Sequence, residues 1–440
     1  MRSPEARPRL LFVVYQYPPS AGGGAQRATK FTRYLAEDGW DITVLSADPL
    51  AGQPRDESLL AQVVGIPVVR TRPRHVAAAI ARVLAPLKRV RSAPAVPQPI
   101  GSHIVDRPRQ PLSGRISRWI AVPDDAVIWS HLLPQRIARL HKQTPFDVIL
   151  ATAPPYSALV AATRAGARFG IPVVCDMRDL WKSAFTATWP TAAHRRHSEA
   201  LERRALSSAA AVVTASEAME AEAREMGAAR TEVIPNGFDS GEMPEWKPTA
   251  DDALHLVFIG RLSFGSTDPT TLFESLARAR EIDARVSCTL DILGPDAPRA
   301  VEFAHTLGIG DMVRFQGFRP YAEALAVVAK SDAGVMVFED TPGSEGHYPG
   351  KMFDYLGIGV PLLVFGSERS GAAQVARESG CGHVVPAGDV DGGARLLLEL
   401  AEAKRSALRP CVVDPAVRAR FNRRDQVARL SALLHEVIGD

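Results

Sequence analysis

Cysteine is scarce. The chain has four in 440 residues, Cys175, Cys288, Cys381 and Cys411, with no CxxC and no paired spacing. That distribution predicts reduced core thiols rather than a metal site or a disulfide framework. No apolar run is long enough to cross a bilayer. The segment after Met1 is basic and then briefly apolar, but no small-residue cleavage site follows, so Leu10 to Tyr15 is expected as a first strand and not a signal peptide. The eleven histidines show no ligand spacing, and no metal is expected. GxSxG and a Walker lysine loop are missing, as is any nucleophile–base pair that spacing can place together. A formal net charge of +3 argues neither for nor against nucleic acid as a partner, and none is expected.

What is present is an ordinary globular composition, 46% hydrophobic and 23% charged, on a chain too long for one comfortable core. Two domains are expected. Leu10 to Tyr15 is a continuous apolar run, as in a strand buried on both faces. A Gly22-Gly23-Gly24 loop follows, then a helix from about Ala25 to Glu37 and a strand from Asp41 to Ser46. This is a βαβ unit without GxGxxG spacing, and no acid but Asp48 follows its second strand in the dinucleotide-binding pattern, which disfavours a dehydrogenase. Strands and helices alternate onward: helices at Ser130 to His141, Tyr156 to Phe169 and Thr191 to Ser208, with strands between them. The polar, proline-bearing stretch Gly237 to Ala253 reads as a linker, after which the alternation restarts at Leu256. The predicted architecture is α/β, with two Rossmann-like doubly wound domains facing across a cleft. Boundaries fall at 1–240 and 251–415, and a terminal helix in 416–440 packs back on the first domain.

Between Arg70 and Arg118 the character changes. Eleven arginines and lysines face one acid, Asp106, amid many prolines and alanines. Val76 to Val90 suits an amphipathic helix with a basic face, which Pro86 would kink. A membrane-surface patch, a clamp for phosphate on a substrate, and a solvated insertion all fit that composition.

The densest candidate chemistry lies from Asp340 to Phe365. Pro349-Gly350 marks a helix start, Lys351 to Leu356 is helical, Gly357 and Gly359 stop it, and Pro361 to Phe365 is a buried strand. Free amides at a helix start favour an anion. Lys351 adds a positive charge, and Asp354, one turn inward, can accept hydrogen bonds from a pair of sugar hydroxyls. The set suits a nucleoside diphosphate; an ordinary surface loop is the plain alternative. Arg261, directly after the strand ending at Ile259 and Gly260, can pair with phosphate or form a surface salt bridge. Asp176, Arg178 and Asp179 follow a buried strand, where a structural ion pair and a substrate-facing role are both open.

Taken in order, several stretches resemble the GT-B fold, GT4-type retaining glycosyltransferases of the bacterial polysaccharide and natural-product branch. They are YQYPPSAGGGAQRATKFTRYLAEDGWDITVLS, VPDDAVIW, FDVILATAPP, DMRDLW, VIPNGFD, FIGRL, DILG, VRFQGF, PGKMFDYLGIGVPLL and FNRRDQVARLSALL. The resemblance implies transfer of a sugar from a nucleotide-diphosphate sugar, UDP- favoured and GDP- next. The acceptor would be a glycan, a lipid-linked glycan or a small molecule. A non-catalytic sugar-nucleotide-binding protein, or an epimerase or hydrolase of the same fold, is the alternative. No cofactor is implied beyond the sugar nucleotide as co-substrate. The implied location is cytoplasmic, with peripheral membrane contact through 70–118 as an option.

Residue by residue, Arg261 matches the phosphate-binding arginine, and with Lys351 it would stabilise the departing diphosphate. Asp354 stands at the second of two usual glutamates. Gly346 occupies the first position and Glu345 lies one residue early. Donor contacts are implied at Gly23, Gly24, Gly260, Gly317, Phe318, Glu345, Gly346, His347, Tyr348, Gly350, Met352 and Asp354. Acceptor-side roles are implied at Arg27, Asp176, Arg178 and Asp179. Ser266 to Pro269 replaces a lysine usual after the arginine, and Thr152 to Pro155 replaces a frequent histidine.

Overall fold

The computed structural model describes residues 7–50, 55–84, 112–181, 189–264, 267–338, 348–406 and 411–439. The chain forms two compact units, one of residues 1–235 with 426–440, the other of residues 236–425.

The first unit runs β1 (Arg9–Val14), α1 (Gly23–Glu37), β2 (Asp41–Ala47), α2 (Ser58–Ala61), β3 (Val68–Thr71), α3 (Val76–Leu84), α4 (Leu112–Ile120), α5 (Val127–Ser130) and α6 (Leu133–Gln143). It continues with β4 (Val148–Ala153), α7 (Tyr156–Phe169), β5 (Val173–Met177), α8 (Ala192–Ser207), β6 (Ala211–Thr214), α9 (Glu217–Glu225) and β7 (Thr231–Val233). The strands form one parallel seven-stranded sheet in the order β3-β2-β1-β4-β5-β6-β7. Apolar side chains alternate to both faces of β1. Leu11 and Val13 join a cluster with Trp129 and Leu159, while Leu10 and Phe12 join one with Phe31, Leu35 and Trp40. Burial on two sides is why the run lacks polar alternation. The helix expected from Ser130 to His141 is α6, which starts at Leu133 with Pro134 in its first turn; Ser130 itself ends the short α5 before it. The Val76 helix is described to Leu84; the remainder of its expected span lies outside the described residues.

The second unit runs β8 (Leu254–Ile259), α10 (Thr270–Ile282), β9 (Cys288–Leu293), α11 (Pro298–Thr306), β10 (Val313–Gly317), α12 (Tyr321–Val328), β11 (Ala333–Phe338) and α13 (Gly350–Ile358). It ends with β12 (Leu362–Gly366), α14 (Gly371–Glu378), β13 (His383–Pro386), α15 (Val390–Arg405) and α16 (Pro415–Ala419). Its six parallel strands are ordered β10-β9-β8-β11-β12-β13. The chain then enters α17 (Arg423–Ile438) and rejoins the first unit from Gln426. Val427, Leu430 and Leu434 are fully buried beside Leu10, Phe12 and Trp40, and Trp40 Nε1 donates to Ser431 Oγ at 3.0 Å. Each such aliphatic side chain contributes about 1.5–3 kcal/mol of burial.

Two local expectations are corrected. Gly357 does not stop α13 but lies inside it, where a Cβ would come within 2.6 Å of the Phe238 ring; its smallness serves packing. Gly359, at φ 91°, is the residue that ends the helix. Cys381 and Cys411 are not reduced thiols. They form a disulfide with Cα atoms 5.5 Å apart, brought together as Asp414 N donates to the Ser379 carbonyl at 2.9 Å. Cys175 and Cys288 are free and buried, and burial pushes both thiols up to about 12. Among the described residues, no helix is long and apolar enough to cross a membrane, and no cluster of His, Cys, Asp or Glu could hold a metal.

Candidate functional site

Parallel strands all end on one side of a sheet, so the loops after β8, β10 and β11 share one edge of the second unit. At the end of β8, Gly260 adopts φ 122° and Arg261 projects an exposed side chain. Helix α13 begins on the same edge. Its N-cap, Pro349, provides no side-chain hydrogen bond. Lys351, in the first turn, reaches over the strand end, with Nζ 3.5 Å from the Phe258 ring centroid. The same Nζ lies 3.7 Å from where a Gly260 Cβ would be. Burial pushes the Lys351 ammonium down to about 7, and among the described residues no carboxylate pairs with it. A positive group held on an aromatic face, with its hydration reduced, is ready for an incoming anion.

Asp354 follows three residues later, on the same helical face as Lys351. Its Oδ1 accepts from the Tyr321 hydroxyl of α12 at 2.7 Å. Burial pushes the carboxyl up to about 6; the Tyr321 hydrogen bond and the Arg423 charge pull against that, and Glu242 adds to it. Gly317 closes β10 at φ 71°, and Phe318 beyond it is 82% exposed, a bare aromatic face at the sheet edge. Met352 is fully buried in the apolar cluster with Phe353 and Leu356, so its side chain serves packing. Tyr348 packs against Gly371, where a Cβ would come within 2.7 Å of its ring. Glu345, Gly346 and His347 lie outside the described residues.

In the first unit the expected acceptor-side residues separate into different roles. Arg27 is buried, and its guanidinium is turned inward. Nη2 donates to Asp176 Oδ1 at 2.7 Å and to the Ile234 carbonyl at 2.8 Å, Nε to Asp176 Oδ2 at 3.3 Å, and Nη1 to the Pro235 carbonyl at 2.9 Å. Thr152 Oγ1 donates to the second Asp176 oxygen at 2.7 Å. This pair clamps α1 to β4, β5 and the segment after β7, and neither side chain faces solvent. Arg178 is different. Its Nε and Nη2 donate to the carbonyls of Ala153 and Pro154 at 3.1 and 3.0 Å. The guanidinium presses on the start of α1, where a Cβ on Gly24 would fall 2.1 Å from Nη1. Gly24 is thus required by a close approach, whereas a Cβ on Gly23 would meet nothing within 4 Å. Asp179 is half-buried just beyond, its carbonyl 3.4 Å from the Tyr156 hydroxyl.

One linked set has no signal in the sequence spacing. The Tyr15 hydroxyl lies 2.6 Å from His75 Nε2, and His75 Nδ1 lies 3.0 Å from Asp125 Oδ2. Asp125 Oδ1 accepts from the Ala77 amide at 2.8 Å and from Ser117 Oγ at 2.9 Å. Burial alone would raise the Asp125 carboxyl, but the hydrogen bonds from His75, Ala77 and Ser117 outweigh it and hold it below its ordinary value. An ionised Asp125 can only accept, so Nδ1 of His75 carries the proton between them. Its neighbour Asp124 goes the other way: burial raises it despite hydrogen bonds from Ser157 and Ala126. The paired acids of VPDDAVIW therefore tie α3, α4 and α7 together.

Two family models match the chain in succession. One, described as a glycosyl transferase 4-like domain, matches residues 22–237. The other, described as glycosyl transferases group 1, matches residues 253–403. No curated protein matches. Among solved structures, sucrose-phosphate synthase from Thermosynechococcus elongatus is 14% identical, covering 98% of this chain and 99% of its own, with a TM-score of 0.60. Alr3699/HepE of Anabaena, in complex with UDP-glucose, is 17% identical over 96% and 99%, with a TM-score of 0.55. The lipopolysaccharide outer core galactosyltransferase WaaB is 13% identical over 97% and 99%, with a TM-score of 0.58.

Proposed function

Because the chain belongs to the GT-B glycosyltransferases of GT4 type, we propose that its second unit binds a nucleotide-diphosphate sugar and that the first receives the acceptor. The observation that carries this reading is the convergence on one sheet edge: Lys351 Nζ lies over Phe258 and beside Gly260, the residue before Arg261, with Asp354 one helical step inward. In this reading the diphosphate lies against Arg261, Lys351 and the first amides of α13, where cation and helix dipole act together. Asp354 accepts from the ribose hydroxyls, a role that suits a carboxylate already oriented by Tyr321. Phe318 offers a face for the base.

The proposed reaction breaks the bond between the anomeric carbon and the diphosphate oxygen. It forms a bond from the acceptor oxygen to that carbon on the same face, so configuration is retained. The acceptor proton passes to the departing diphosphate, which then needs no separate base. Positive character at the anomeric carbon and negative charge on the leaving group grow together, and Arg261 and Lys351 stabilise the latter. Losing one such donor commonly costs about 2.7–4 kcal/mol of barrier. A UDP-sugar is the favoured donor, supported by the UDP-glucose bound to a protein of the same fold; a GDP-sugar is next. The acceptor is a glycan, a lipid-linked glycan or a small molecule.

Thermal shift against UDP, GDP, dTDP and ADP tests the reading. One nucleotide at a hundredfold excess over its dissociation constant should add about 2.7 kcal/mol of stability. Asp354→Ala and Arg261→Ala should each abolish that gain. No shift with any of the four overturns the donor assignment.

A further inference from the structure

We propose that the Cys381–Cys411 disulfide is a thiol-controlled switch on α13. Bridged, it holds the segment 411–423 against that helix; opened by a dithiol, it lets the segment and the helix loosen, and nucleotide binding weakens. The segment has little structure of its own, since α16 supplies only five residues before α17 begins at Arg423. Its hold on the second unit comes from side chains and a few backbone bonds. Where α14 ends, Asp414 N donates to the Ser379 carbonyl at 2.9 Å, and Arg420 Nη1 donates to Glu378 Oε2 at 2.6 Å. Val413 and Val417 are buried in the apolar cluster that also takes in Cys381, Met352 and Phe353.

From there the segment reaches α13 itself. Arg418 Nη2 donates to the Gly357 carbonyl, one of the last of the helix, which has no partner within it. The Phe421 ring lies against Phe353 with centroids 5.4 Å apart. Phe238 N donates to the Phe421 carbonyl at 3.0 Å and Arg423 N to the Phe238 carbonyl at 2.9 Å, while the Phe238 ring packs on Gly357. The Arg423 charge works against the burial that raises the Asp354 carboxyl. A continuous path therefore runs from Cys411 to the helix that carries Lys351 and Asp354.

The two sulfurs differ in access: Cys381 is 4% exposed, whereas Cys411 lies at the surface. An incoming thiolate attacks Cys411 Sγ, the S–S bond breaks, and Cys381 leaves as a thiolate that takes a proton from solvent. The second thiol of the reductant then closes on the first and releases Cys411. The dithiol is oxidised to a disulfide, and the protein gains two electrons and two protons. Exposed disulfides are the labile, regulatory kind.

The inference rests on the reading of α13 as the donor helix, so binding and motion are read separately. The full chain, held in oxidised or in reduced dithiothreitol, is titrated with UDP by calorimetry and followed by hydrogen exchange. The bridged form should bind UDP about tenfold more tightly, as when roughly one-tenth of reduced molecules keep α13 in place. On reduction, amides of α13 and of residues 411–423 should exchange about tenfold faster, with β8 and β9 unchanged. Cys411→Ser should match the reduced wild type in both measurements and ignore dithiothreitol. Measurable and equal UDP affinity in the two states overturns the proposal, and so does a response to dithiothreitol that persists in Cys411→Ser. Faster exchange spread evenly over β8 to β13 also overturns it, since the bond would then serve only the stability of the whole unit. A loosened α13 with no UDP bound in either state refutes the donor reading and leaves the switch standing.

Discussion

Replacing Lys351 with methionine and following donor binding against pH isolates the charge at the end of β8. With the free ammonium at about 7, roughly half the molecules carry the charge at pH 7 and about one-tenth at pH 8. A sugar nucleotide brings a diphosphate diester that does not titrate near neutrality, so its binding favours the charged lysine and draws a proton from solution at pH 8. Affinity of the wild type should therefore fall as pH rises from 7 to 8, by about fivefold if the charge is needed in full. Because the side chain is only half-buried, water screens part of the interaction, and about threefold is the more reasonable size. On the acid side, Asp354 at about 6 must be ionised to accept two hydroxyls, so affinity should also fall as pH drops through 6. Tightest binding lies between the two values. Titration calorimetry with UDP-glucose in two buffers of different ionisation enthalpy reads both the affinity and the proton uptake. Lys351→Met should bind more weakly, take up no proton at pH 8, and lose the alkaline slope while keeping the acid one. A flat wild-type profile from pH 6 to 8, or the same alkaline slope in Lys351→Met, refutes the argument.

Arg27→Met should destabilise the first unit by about 3–5 kcal/mol, because it leaves Asp176 buried with its charge uncompensated; urea unfolding checks this, and a loss below about 1 kcal/mol, the size of a surface pair, refutes it. Breaking the Cys381–Cys411 link, which spans 30 residues, by Cys411→Ser should cost the second unit about 3–4 kcal/mol. Thiol titration of the denatured, unreduced protein should find Cys175 and Cys288 reactive and the other two not; an unchanged thermal midpoint in the variant would contradict the stabilising role.

Periodicity along the chain was enough to read the architecture. An uninterrupted apolar run such as Leu10 to Tyr15 has no polar face to give to water, so it declares a strand covered on both sides, and alternation with helices then requires parallel sheets. The start of α13 was equally legible, because Pro349 and Gly350 act through their own backbone, and so was the placing of Lys351 and Asp354 on one face, which is a matter of helical spacing. What tertiary structure alone decided are the partnerships between distant segments. Placing β1 beside β4, and β4 beside β5, sets Arg27 against Asp176, 149 residues away, and makes a buried clamp of two charges expected on the acceptor side. Tyr15, His75 and Asp125 meet for the same reason, since no local period connects them. Gly357 looked like a stop because composition cannot reveal that Phe238 packs on it, and the scattered cysteines looked reduced because 30 residues of chain hide a 5.5 Å separation. Local geometry is set by neighbours in sequence; contact is set by the packing of strands and helices that the sequence orders but does not juxtapose.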